Sequence, residues 1–153
     1  MFDLLNLPGV TPVDLRTSHK EITIVADVVD GDLPNCPQCQ KPLYRHGKRV
    51  TTFADTPIQM QPVRLEVSRP RYRCAECAKL VTPELPFLDE RRRATARLVD
   101  AVRERCLGQT FHSLAEQTWL AVNTIKNIAN DLIEELEENV RYETPDLPGT
   151  YRQ

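Results

Sequence analysis

No apolar run in this sequence approaches the ~20 residues of a membrane span. The first residues, Met1-Phe2-Asp3-Leu4-Leu5-Asn6, lack the basic-then-apolar order of a secretion signal. Both absences argue against membrane and exported classes and set the expectation of a cytoplasmic protein. Aromatic residues are scarce, 6% of 153, so a small core here needs a further staple. An excess charge of one sign is also missing: 20 basic against 22 acidic side chains give a net charge of −2, which suggests no particular partner. The cysteine count of five is odd and argues against a fully paired disulfide framework. There is no internal repeat and no low-complexity tract, and the length allows one domain or two small ones.

The near-neutral total hides a segregation. Residues 1–40 carry net −4, residues 41–80 net +6, residues 81–110 net +1 and residues 111–153 net −5. A basic middle between acidic ends is a local electrostatic feature that suits nucleic acid, or else a solvated sheet face.

Residues 20–29 are β-branched and read as a strand, followed by turn residues at 31–35. Residues 43–53 and 62–73 read as further strands. In the latter, Val63, Leu65 and Val67 alternate with Arg64, Glu66 and Ser68, the period of a half-buried strand. Residues 1–30 are expected to add a strand. The proline-containing stretch 82–88 reads as an extended linker, after which the period changes. Residues 93–107 carry Ala94, Leu98, Ala101, Val102 and Leu107 at helical spacing, with Gly108 as the expected C′ residue. Ser113-Leu114-Ala115-Glu116 fits a capping box. From Ile125 the apolar residues fall at 125, 128, 129, 132, 133, 136 and 140, a helical stripe. Pro145 and Pro148-Gly149 are expected to end the regular structure. The fold class is α+β: a β-rich, zinc-ribbon-like N-terminal half and an α-helical half. The expected division is 1–82 for the β domain, 83–90 for a linker, 91–142 for a helical domain and 143–153 for a tail.

Cys36-Pro-Gln-Cys39 and Cys74-Ala-Glu-Cys77 are two CxxC units separated by 34 residues. Each unit can place two thiolates on one tight knuckle, and two knuckles supply the tetrahedral S₄ set that zinc prefers. The intervening segment contains two strand candidates, so a β-hairpin excursion would bring the knuckles together. Disulfides within each CxxC are geometrically poor and unsuited to a chain without a secretion signal. A thioredoxin-like site would need a βαβ pattern that is absent. An S₄ set can hold iron as well as zinc. With four cysteines bound, no coordination position is left open for catalysis. Cys106 lies in an amphipathic segment and reads as a small buried apolar residue. His46 reads as a spare polar or nucleic-acid-facing side chain.

Leu114, Ala115, Leu120, Ile125 and Ile128 occupy spacings that pack two helices across a short turn. In a helix-turn-helix the second helix enters the DNA major groove with its N-terminal residues toward the base edges. Those residues are Asn123, Thr124, Lys126, Asn127 and Asn130. Asparagine can read adenine in a bidentate way, and lysine can reach guanine or phosphate. Trp119 stands at the turn position where glycine is usual. A plain helical hairpin is the alternative. Arg91-Arg92-Arg93 precedes the first helix, with Arg97 one turn on, either as a solvated helix start or as phosphate contacts that fix register. The acidic run Glu134 to Glu138 would repel DNA and should point away from it.

In order, Cys-Pro-x-Cys, Arg45-His46-Gly47-x-Arg49, Asp55-Thr56-Pro57, Arg71-Tyr72-Arg73-Cys74-x-x-Cys77, an Arg-rich helix and the Ala115-to-Ile125 helix pair resemble the N-terminal part of the ISL-three (ISL3) family of bacterial insertion-sequence transposases. The resemblance covers about residues 33–142. It implies a zinc-binding domain and a helix-turn-helix that bind the terminal inverted repeats of a mobile element as double-stranded DNA. In that family a ribonuclease-H-like domain with an Asp-Asp-Glu triad follows. The sequence stops about where that domain would begin, so the expectation is a DNA-binding chain that is not itself an enzyme, whether a fragment or a stand-alone regulator.

The expected site is therefore Zn²⁺ on Cys36, Cys39, Cys74 and Cys77. Base contacts are expected from Asn123, Thr124, Lys126, Asn127 and Asn130, and phosphate contacts from Arg45, Lys48, Arg49, Arg71, Arg73, Arg91, Arg92 and Arg93. A homodimer is possible on this reading. The alternative function is a zinc-ribbon module that binds a protein partner or regulates transcription.

Overall fold

The computed structural model describes residues 5–29, 31–33 and 35–140. The expected tail 143–153, the end of the expected helical domain and the stop signals at Pro145 and Pro148-Gly149 lie outside the described residues. The chain order is β1 (Val10–Thr17), β2 (Ile22–Val28), β3 (Leu43–Ile58), β4 (Gln61–Cys74), β5 (Leu80–Val81), β6 (Leu88–Asp89), β7 (Ala94–Thr95), α1 (Ala96–Arg105), α2 (Phe111–Gln117) and α3 (Val122–Asn139). The α+β class with strands first and helices after is what the two periodicities require, and residues 1–30 do supply a strand.

One sheet runs in the order β1-β2-β4-β3-β7-β6, with β5 on the outer end of β4. Its spine is the long antiparallel hairpin β3–β4, closed by Gln59 and Met60, both at positive φ (51° and 64°). β2 lies parallel to β4, with Ile22, Ile24 and Ala26 beside Val63, Leu65 and Val67. This registry puts the apolar positions of both strands on one face. They pack with Leu5, Leu7, Val10, Phe53 and Phe87 into the first core. The alternation in β4 thus does what its period predicts. A bulge at His46-Gly47 interrupts the β3–β4 ladder, and Gly47 takes φ 84°, where a side chain would be strained.

The helices form a second core of Leu98, Val99, Val102, Leu114, Leu120, Ile125, Ile128 and Ala129, which also takes in Ala54 of β3 and Ala94 of β7. Three local expectations change. Residues 83–90 are not a free connection: Phe87 is in the first core, Leu85 and Leu88 pack on it, and Leu88-Asp89 pairs with Ala94-Thr95. Leu85, Phe87 and Leu88, beside the prolines, had a face to bury. The α2 cap is Thr110, whose side chain accepts from the Ser113 N–H, so Ser113 sits inside the helix and instead accepts from Gln117 Nε2 at 3.0 Å. Thr110 shares the chemistry of Ser113 and lies one turn earlier. Gly108 adopts no left-handed conformation; α1 ends at Cys106 in a right-handed turn, with Gly108 N–H bonded to the Arg105 carbonyl. No helix among the described residues is long and apolar enough to cross a membrane.

Candidate metal centre and nucleic-acid interface

The two CxxC units form matching knuckles. In the first, Cys36 N–H bonds to the Lys41 carbonyl and Gln40 N–H to the Cys36 carbonyl. In the second, Cys74 N–H bonds to the Lys79 carbonyl and Ala78 N–H to the Cys74 carbonyl. Gln40 and Ala78, one residue past each second cysteine, both sit at positive φ (59° and 58°). The hairpin carries the second knuckle to the first through the pairing of Leu43 with Cys74. Cys36 and Cys77 lie 3.5 Å apart, Cys39 and Cys74 3.3 Å, and Cys39 and Cys77 3.9 Å. All four sulfurs fall within 4.8 Å of one another.

Those separations are too long for a disulfide, whose S–S bond is ~2.05 Å. They match the edge of a tetrahedron with Zn–S of ~2.3 Å, which is about 3.8 Å. The set is all sulfur and its walls are Leu43, Tyr72 and the half-buried Val81, the composition of a closed structural site. The Cys39 N–H lowers the Cys36 thiol to about 6, against burial and with help from the Gln38 N–H. The Cys77 N–H likewise lowers Cys74. Cys39 is pushed up to about 12: the lowering by the Lys41 N–H is outweighed by the Cys74 thiol, burial and Cys36. The first cysteine of each knuckle is therefore the one that the backbone N–H groups of its own turn shift down. Cys106 is buried in the helical core, with its thiol on the Arg103 carbonyl, and is not in the quartet.

The helix pair is α2 and α3. Thr118 ends α2 with its hydroxyl donating to the Leu114 carbonyl at 2.7 Å, and α3 starts after Ala121. Ile125, Ile128 and Ala129 face the core, so Asn123, Lys126, Asn127 and Asn130 stand exposed together on the opposite face. Thr124 is half-buried at its edge. The acidic part of α3 is divided: Asp131 is bound by Arg92 and Glu135 by Arg103, whereas Glu134, Glu137 and Glu138 remain exposed.

Two family profiles match this chain. One, described as the zinc-finger of transposase IS204/IS1001/IS1096/IS1165, covers residues 32–77, and the other, the helix-turn-helix domain of transposase family ISL3, covers residues 83–133. Together they span more than half of the sequence. The chain belongs to the ISL3 transposase family. It carries the zinc ribbon and the DNA-binding helix-turn-helix of that family's N-terminal region, and zinc is the metal that its cysteine quartet fits. No curated protein and no solved structure matched the chain.

In this ISL3 chain the basic residues fall into two groups. Tyr44, Arg45, His46, Lys48 and Arg49 are exposed along the outer part of β3, and Arg71 and Arg73 are half-buried on β4 beside them. The ring of His46 sits edge-on to that of Tyr44 at 6.5 Å. The second group is less free than expected. Arg91 and Arg93 are exposed, and the Arg93 carbonyl accepts from Ala54 N–H at 2.9 Å. Arg92 turns inward, with Asp89 at 2.6 Å on one side and Asp131 of α3 on the other. Arg97 is held by Asp55 and by the Leu5 carbonyl. The guanidinium groups of Arg92 and Arg97 are occupied in joining elements.

Asp55 is the residue that sequence reasoning left without a role. It is buried in β3, accepts from Thr95 Oγ1 at 2.7 Å and Thr56 N–H at 2.8 Å, and pairs with Arg97. The signal was present: a carboxylate in a strand, at a position the alternation buries, needs a cation and donors. Arg69 is similar, nearly fully buried on β4, paired with Glu90 and 5.8 Å from the Phe53 ring.

Proposed function

We propose that this chain recognises the terminal inverted repeats of a mobile DNA element. The carrying observation is the exposed face of Asn123, Lys126, Asn127 and Asn130 at the start of a helix whose opposite face is buried against α1 and α2. On this reading these four, with Thr124, meet base edges in the major groove. Arg45, Lys48, Arg49, Arg71, Arg73, Arg91 and Arg93 meet phosphates and set register. Arg92 acts on DNA only indirectly, by holding Asp131. Zinc on Cys36, Cys39, Cys74 and Cys77 folds the outer end of the hairpin and so shapes the β contact surface. The proposal assigns recognition, and not strand transfer, to these residues. Two-metal transfer needs converging carboxylates, whereas the α3 acids lie along one helix.

The test is selection of bound DNA from a genomic-fragment library by the zinc-loaded chain, with metal quantified on the same sample. Enrichment of one inverted-repeat sequence supports the reading. Binding that tracks length and salt but not sequence rejects it.

A second reading rests on Ile133, Leu136 and Val140, which are 40%, 46% and 48% exposed at the end of α3. This apolar strip suits a protein partner, a second copy of the chain included. Sedimentation of the zinc-loaded chain over a concentration series decides whether copies pair.

A further inference from the structure

Trp119 sits in the turn between α2 and α3, and Arg64 of β4 lies over its ring, with the guanidinium carbon 4.0 Å from the ring centroid. Arg64 is itself anchored at its far side by Glu21, at 3.3 Å. Its Nε is buried without a hydrogen-bond partner, so the group is held there by the ring and the Glu21 carboxylate. The turn of a helix-turn-helix thus leans on the zinc-bearing hairpin. Two other ties run across the same boundary. Asp55 binds Arg97 and the α1 cap Thr95, and Arg92 binds Asp131 of α3. Of the three, the Arg64–Trp119 contact is the one made by the turn that leads into α3.

We infer that Arg64 and Trp119 are positioning residues that clamp the helix-turn-helix to the sheet, so that α3 and the basic β3–β4 ribbon engage DNA at one fixed separation. The inference rests on the DNA-recognition reading above and adds spacing stringency to it. A tryptophan where a flexible glycine is usual removes freedom from the turn, and the stacked arginine removes more. A flexible link lets two contact surfaces adapt to altered spacing; a clamped one does not. Each inserted base pair moves one contact by about 3.4 Å and rotates it by about 35° relative to the other.

Two measurements on the full zinc-loaded chain test this. Trp119 is the sole tryptophan, so its emission and its quenching by acrylamide, an uncharged quencher indifferent to the loss of a nearby charge, report the stack without DNA. Arg64→Gln should increase quenching of Trp119 while zinc content and helicity stay unchanged. Unchanged quenching would overturn the clamp. Glu21→Gln, which removes only the anchor, should shift it in the same direction by less, and serves if Arg64→Gln does not fold.

The second measurement footprints the selected site and inserts one or two base pairs between the segment protected by α3 and the segment protected by the β3–β4 ribbon. The wild-type chain should lose about tenfold or more in affinity, and Arg64→Gln and Trp119→Leu about threefold or less, with Trp119→Phe recovering most of the wild-type penalty. Equal penalties in wild type and variants, or no penalty in wild type, would overturn the inference while leaving DNA recognition standing. Absence of any sequence-selective binding would overturn the recognition reading itself, and the inferred spacing with it.

Discussion

Asp55 and Arg97 face each other as a two-point ion pair, Arg97 Nε lying 2.7 Å from Asp55 Oδ1 and Nη2 reaching Oδ2. The carboxylate belongs to the sheet and the guanidinium to the first turn of α1, and Thr95, the α1 cap, donates to the same Oδ1 while accepting from Leu98 N–H. One buried acid therefore satisfies a cation, a hydroxyl and a backbone donor, and fixes where the helical unit begins. Such a group resists replacement because each partner loses its acceptor.

Asp55→Ala should destabilise the chain by ~2–4 kcal/mol, at the lower side of the range for breaking a buried pair because Arg97 is still partly solvated. Urea unfolding of the zinc-loaded protein measures this. A loss below ~0.5 kcal/mol would mean that water replaces Asp55 without cost.

Zinc should be present at one ion per chain. Cys77→Ser should lower the zinc content sharply, and Cys106→Ser should leave it unchanged, because Cys106 points to the Arg103 carbonyl in another core. Chelation should unfold the knuckles and the outer ends of β3 and β4 first. Elemental analysis and hydrogen exchange read both; equal protection at Leu43 and Phe53 after chelation would argue against a metal-held outer end.

Lys126→Ala and Asn127→Ala should each cost ~1–3 kcal/mol on the selected DNA and relax discrimination at the base they meet. Arg49→Ala should weaken binding to all sequences and reduce the slope of log K against log salt by about one. Fluorescence anisotropy over a salt series separates the two behaviours. A base-specific effect of Arg49→Ala would place the β ribbon in a groove and not on the backbone.

Gln59 and Met60 occupy a two-residue hairpin turn that needs positive φ at both positions, and Met60 is 90% exposed. Asn-Gly is the pair such a turn favours. The double change Gln59→Asn, Met60→Gly should raise stability by ~1–2 kcal/mol. A rise in thermal midpoint checks it; a fall would show that Met60 makes a contact worth more than the relieved backbone.

Arg92 holds the Asp89 carboxyl below its ordinary range, overcoming partial burial that pushes the other way. A depressed carboxylate stabilises the fold above its unfolded value, and that contribution is lost as pH falls through the folded one. Stability should therefore drop as pH falls below the model-peptide carboxylate value of ~3.9, and Arg92→Gln should flatten that part of the curve. An unaltered acid limb in Arg92→Gln would remove this pair from the acid response.

The sheet, the metal quartet and the exposed polar face of α3 were legible because each rests on local chemistry: period two in 62–73, paired CxxC units, and polar residues opposite Ile125 and Ile128. The α2 cap was misplaced by a turn because Thr110 and Ser113 both carry a hydroxyl, and only packing decides which of them leaves the helix. The arginines were harder still. Arg49 and Arg97 look alike in sequence, yet one is exposed on β3 and the other is bound to Asp55, since the partner of a long cation is set by contacts 42 residues away. Arg64 and Trp119 could not be paired from sequence for the same reason.

The parallel seam between β2 and β4 has a consequence in time. Pairing β3 with β4 closes only the short turn at Gln59-Met60, whereas docking Ile22 beside Val63 brings together residues about forty apart with the first cysteine knuckle between them. Loop closure makes the second event the slower one. The hairpin should therefore form first and the knuckles close on it, and the N-terminal strands then join a template already in place. Mixing reduced, metal-free chain with zinc in stopped flow should resolve a zinc-dependent phase before burial of the β2 side chains. A chain interrupted between the two knuckles would lose the template, while one trimmed before β1 would keep it.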